Sequence, residues 1–80
     1  MDIKSLKLFQ HVANSLHFGK TAAVFHLSPS TLSRSIQRLE EELGSQLLIR
    51  DNRSVFLTRE GKQLLAYADQ QIVQFESLKQ

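Results

Sequence analysis

Residues 28–44 read SPSTLSRSIQRLEEELG, and this stretch decides the fold. Ser28 is the residue type that accepts hydrogen bonds from the free N–H groups at a helix start. Pro29, the only proline of the chain, suits the first helical position, where a missing N–H loses nothing. Leu32, Ile36, Leu39 and Leu43 follow at spacings of 4, 3 and 4, the apolar stripe of an α-helix, and Gly44 supplies the left-handed residue that ends one. The outward face carries Ser30, Ser33, Arg34, Gln37 and Arg38 without an acid among them. Solubility alone does not call for such a face.

On the N-terminal side, Ala22 and Ala23 mark a short helix over residues 20–25, with only His26, Leu27 and Ser28 before the next. Ahead of it, Ile3, Leu6, Phe9, Val12, Ala13 and Leu16 give an amphipathic helix over residues 3–15 with Asp2 as its N-cap. On the C-terminal side, QLLIR and SVFLT are β-prone runs flanking Asp51, Asn52 and Arg53, which predicts a hairpin with a polar, basic tip. Thr58 can cap a last helix, in which Leu64, Ala68, Gln71, Phe75 and Leu78 recur at 4, 3, 4 and 3. Leu65, Tyr67, Ile72 and Val73 widen that stripe beyond what one edge of a small domain requires, so the helix is expected to pair two subunits; packing against the first helix is the alternative.

A short helix, a tight turn, a longer helix with a polar outer face and a basic-tipped hairpin make a winged helix-turn-helix. The expected fold is therefore mainly α: a three-helix core and two-stranded wing over residues 1–58, then a long linker and dimerisation helix over residues 59–80.

Eighty residues are enough for one small domain. Without cysteine there is no disulfide, thiolate metal site or thiol nucleophile, which points to a reducing compartment, by default the cytoplasm. The N-terminus lacks a basic region followed by a long apolar core, and no apolar run approaches the roughly 20 residues that span a bilayer, so no membrane partner is expected. The net charge is only +2, but its distribution is uneven. Residues 3–39 hold no acid and five cations, Lys4, Lys7, Lys20, Arg34 and Arg38. Glu40, Glu41 and Glu42 then arrive together, as a solvated helix end, before a second basic cluster of Arg50, Arg53, Arg59 and Lys62, diluted by Asp51 and Glu60. Such patches are the footprint of phosphate-backbone binding, although charge alone fits a solvated face equally well.

Placed in a helix-turn-helix, the acid-free stripe acquires a purpose. Its helix, residues 29–43, is the one that enters a major groove. Arg34 can make a bidentate contact to guanine O6 and N7, Gln37 can pair with adenine or a phosphate, and the hydroxyls of Ser30, Thr31 and Ser33 permit close approach. Pro29 and the Thr31 methyl can touch thymine methyl groups. Lys20, Arg38, Arg50 and Arg53 complete the expected DNA-binding set.

Other classes fare worse. With no Gly-rich phosphate loop and no clustering of histidine with carboxylates, an enzyme is not expected, nor a cofactor. His11, His17 and His26 lack regular ligand spacing, so no metal site is expected. A helical protein-interaction module is the alternative function, because this fold is reused for binding proteins; salt dependence separates the two.

The stretch FGKTAAVFHLSPSTLSRSIQRLEEELGSQLLIRDNRSVFLTREGKQLL closely resembles the N-terminal DNA-binding region of LysR-type transcriptional regulators, with S-x-x-I-x-x-L-E-x-x-L-G, then L-x-x-R, then L-T-x-x-G. The resemblance covers the whole chain. HFG, SPSTLSR and RDNR look most like members acting on branched-chain amino-acid synthesis. It implies that Pro29, Ser30, Thr31, Ser33 and Arg34 face base edges and that Arg53 on the wing reaches a minor groove. It also implies that the last helix pairs two subunits; with the stripe of Leu64, Leu65, Ala68, Gln71, Ile72, Phe75 and Leu78 as the seam, a two-fold homodimer is expected on an inverted-repeat operator in double-stranded DNA. A tetramer and a small-molecule inducer held by a further C-terminal domain follow for the full-length regulator, activator or repressor. Two departures stand out. Gly19 occupies the usual Ser or Thr cap of the second helix, and Ser35 replaces a longer residue, often Gln, whose contacts cannot be carried over.

Overall fold

The computed structural model describes residues 1–51 and 53–79; Asn52, expected at the hairpin tip, lies outside them. Four helices and one hairpin follow in the order α1 (Ile3–Ser15), α2 (Phe18–Val24), α3 (Pro29–Leu43), β1 (Leu48–Arg50), β2 (Val55–Leu57) and α4 (Arg59–Ser77). This is a winged helix-turn-helix with a long final helix.

The helix ends follow from side-chain caps, which satisfy N–H groups that no helical turn can reach. Asp2 Oδ1 accepts from the Ser5 N–H at 2.8 Å, Ser28 Oγ from the Thr31 N–H at 3.2 Å, and Thr58 Oγ1 from the Gly61 N–H at 3.0 Å. Gly44, at φ 68°, ends α3 in the left-handed region. The second helix departs from expectation. It starts at Phe18, because His17 Nδ1 accepts from the Lys20 N–H at 3.0 Å. Gly19 lies within the first turn and is not the cap, so its lack of a hydroxyl does not weaken this helix start. His26 turns the chain between α2 and α3 at φ 57°.

Phe9, Val12, Leu32, Leu39 and Leu47 are fully buried and join α1, α3 and the approach to the wing. Thr21 on α2 is buried with them, and its hydroxyl is paired with His11 Nδ1 at 2.6 Å and Ser15 Oγ at 3.1 Å. The histidines thus have local roles: His11 in this polar contact, His17 as a cap, His26 in the turn. The buried stripe of α3 stops at Leu39; Leu43, expected inside, is 43% exposed. Leu16 is likewise exposed, because α1 ends at Ser15 and Leu16 takes the left-handed cap position.

The strands pair antiparallel in the register Leu48↔Leu57, Ile49↔Phe56 and Arg50↔Val55. Glu40 ties this wing to α3: its Oε2 accepts from the N–H groups of Leu47 and Leu48 at 2.8 and 3.4 Å. Glu42 in turn accepts from the N-terminal ammonium at 2.8 Å. Of the three acids expected as a solvated helix end, Glu41 and Glu42 are exposed, whereas Glu40 is a structural tie. Gly61 is buried, and the position needs glycine because a Cβ there would run into the Leu47 carbonyl oxygen.

The last helix corrects the expected seam. Leu64 and Ala68 are 6% and 0% exposed and belong to the same core as α1, against which α4 packs. Period alone cannot say which neighbour covers a stripe, and here the covering helix is the chain's own. Leu65 and Ile72 are half-buried against that core. Residue 58 is accordingly no break in packing. Farther along α4, Gln71 and Phe75 are half-buried, whereas Tyr67, Val73 and Leu78 are exposed. Lys7 of α1 donates to Glu76 at 2.7 Å, holding the carboxyl below its ordinary value.

Candidate nucleic-acid interface

Pro29, Ser30 and Thr31 form the exposed first turn of α3. Ser28 Oγ donates to Thr31 Oγ1 at 2.9 Å and lies 3.2 Å from Ser30 Oγ. Thr31 therefore accepts from the cap and keeps its own hydroxyl proton for an outside acceptor. Arg34, Gln37 and Arg38 stand exposed along the following turns, in line with the helical spacing.

Two grooves border the wing, and one of them runs along this helix. One, of about 230 Å³, runs between α3 and the wing and is lined by Ser33, Gln37, Glu40, Gln46, Leu48 and Arg50 beside Phe18. The other, of about 280 Å³, lies between the start of α2 and the wing and includes His17, Gly19, Arg50, Asp51 and Arg53. Ser33, Gln37 and Arg50 are thus brought together, as are Arg50 and Arg53. Lys20, Arg34 and Arg38 line neither groove; they are exposed on the adjoining helical surfaces.

The electrostatics favour an anion. Among the described residues the ion pairs are Met1 N-terminus–Glu42, Lys7–Glu76 and Lys79–Glu76. None of Lys20, Arg34, Arg38, Arg50 or Arg53 is engaged in one. Glu40, the first carboxylate along α3, has its Oε2 engaged by two backbone N–H groups. At the wing tip, Asp51 Oδ1 accepts from the N–H groups of Arg53 and Ser54 at 2.8 and 2.7 Å, which fixes the turn and leaves the Arg53 side chain exposed.

Spacing did not reveal the partner of Arg50. Its Cζ lies 4.1 Å from the centre of the Phe18 ring. The only signal was an aromatic at the start of α2 and an arginine at the end of the first strand, 32 positions apart, which no local period connects.

A family model described as bacterial regulatory helix-turn-helix protein, lysR family, matches residues 3–62. The chain belongs to this family. The HTH-type transcriptional activator IlvY of Salmonella typhimurium is 53% identical over 79 residues, covering 99% of this chain and 27% of the relative. This LysR-family chain thus spans about a quarter of the curated relatives' length. Among solved structures, the BenM DNA-binding domain in complex with catB site 1 DNA aligns with a TM-score of 0.91 and 37% identity, covering 98% of this chain and 87% of the other. Full-length OxyR C199D from Pseudomonas aeruginosa aligns with a TM-score of 0.91 and 32% identity, covering 99% and 27%. The LysR-family members named are transcriptional regulators, not enzymes.

Proposed function

We propose that this chain binds double-stranded DNA sequence-specifically as part of a dimeric transcriptional regulator. The carrying observation is the face of α3 on which Ser30, Arg34, Gln37 and Arg38 are exposed, the two arginines free of any described ion pair, beside a wing that presents Arg50 and Arg53. Direct readout needs these donor and acceptor types on a helix that fits a major groove, with cations alongside for the phosphates. Arg53, at the wing tip, reaches the adjacent minor groove, where A·T-rich narrowing attracts an arginine.

Two copies joined through the exposed distal part of α4 would read an inverted repeat, with half-sites about 34 Å or a multiple apart. Its proposed targets are isoleucine and valine biosynthesis genes in the cytoplasm, as the resemblance of HFG, SPSTLSR and RDNR to members acting on branched-chain amino-acid synthesis implies. An inducer-binding C-terminal domain and tetramer assembly belong to the longer regulator. Selection of duplexes from a random pool tests this reading. An enriched inverted repeat with A·T-rich positions under the wing is expected; a pool that stays random after repeated rounds refutes it.

A further inference from the structure

We infer that Phe18 is a positioning residue for DNA binding, holding the Arg50 guanidinium at the junction of α3 and the wing so that it meets a backbone phosphate already oriented. The inference rests on the DNA-binding reading proposed above and adds to it a residue that carries no charge or hydrogen-bonding group. Arg50 ends β1 and is exposed, a setting in which a long side chain normally keeps most of its rotamer freedom. Here its Cζ lies 4.1 Å from the Phe18 ring centre. The ring is itself anchored, half-buried and packed against the core. An arginine can stack its face on an aromatic while its N–H edge remains available to a phosphate.

No described acid forms an ion pair with that edge. Arg50 takes part in no described ion pair, Asp51 is committed to the backbone of Arg53 and Ser54, and Glu40 to that of Leu47 and Leu48. Arg50 also borders both grooves, the one containing Ser33 and Gln37 and the one containing Arg53. A guanidinium fixed there links the base-reading helix to the wing, and fixing it beforehand removes the ordering cost that a free side chain meets on binding.

The test is a double-mutant cycle on the duplex selected from the random pool, measured at several salt concentrations. Phe18→Leu is expected to weaken binding about 3- to 10-fold, and Phe18→Tyr, which keeps the ring face, to bind like wild type. Arg50→Ala should lose more and reduce the salt slope by about one. Adding Phe18→Leu to Arg50→Ala should cost nothing further. Arg50→Lys, which leaves the core untouched, should bind more weakly than wild type, because a compact ammonium does not present a stacked planar edge. Losses that multiply in the double variant, a Phe18→Tyr protein as weak as Phe18→Leu, or Arg50→Lys binding equal to wild type would each overturn the inference. If the wild type itself fails to bind the duplex, the fault lies with the DNA-binding reading.

Discussion

Arg34 stands exposed on the second turn of α3 with no described ion pair, so its guanidinium is available to a base edge. Arg34→Ala is expected to cost roughly 1–3 kcal/mol on the selected duplex and much less on random DNA, as read by titration of both; equal losses would reduce Arg34 to a phosphate contact. Lys20→Ala, on the shorter helix, is expected to weaken binding to all sequences alike and to flatten the salt dependence. The exposure of Arg34 was legible in the sequence because the acid-free face of residues 28–44 could be placed on a helix with signed ends. Phe18 was not legible. Its significance comes from Arg50, brought to it by the wing, and only the tertiary structure joins them.

At the scale of elements, caps decided what could be read. Asp2, Ser28, Gly44 and Thr58 are residue types that announce helix ends, and each does so here. The start of α2 was obscured because its cap is a histidine ring nitrogen, outside the usual Ser, Thr, Asp and Asn set. Glu40 was read as solvated because an acid near a helix C-terminus gives no sign that a later strand will donate to it. Glu40→Ala leaves the partly buried N–H of Leu47 without its acceptor and is expected to lower stability by about 1–3 kcal/mol in urea unfolding. An unchanged midpoint would contradict its role as the tie between α3 and the wing. Acid should act on α1 and its junction with α4. Hydrogen bonding from Ser5 lowers the Asp2 carboxyl from its ordinary value, and Lys7 lowers that of Glu76. Groups with depressed folded values contribute fully at neutral pH and lose that contribution as pH falls below about 4 and through those values. Asp2→Asn and Glu76→Gln should therefore show a shallower loss of thermal stability between about pH 5 and 2 than the wild type; identical pH profiles would exclude both contacts as stabilising.

On the scale of the whole molecule, α4 serves two ends. Its first half is core, so Leu64→Ala should destabilise the monomer by about 2–5 kcal/mol in denaturant unfolding; a negligible loss would contradict the buried packing of Leu64 against α1. Its second half and the C-cap residue that follows leave Val73 65% and Leu78 83% exposed, the apolar surface on which a second copy is proposed to sit. Val73→Asp/Leu78→Asp is expected to abolish dimerisation in sedimentation at micromolar concentration while leaving the helical content intact, and a double variant that still dimerises would return the interface to some other face. The dimension of the molecule that sequence could least supply was this division of α4, since a continuous stripe looks the same whichever neighbour covers it. The most direct test of the central claim, that α3 and the wing recognise DNA, is titration of the selected duplex and of a random duplex of equal length at two salt concentrations. Binding to the selected duplex is expected to be on the order of a thousandfold or more tighter than to the random one, with both affinities falling steeply as salt rises. Affinities that are equal for the two duplexes, or that do not change with salt, would contradict it.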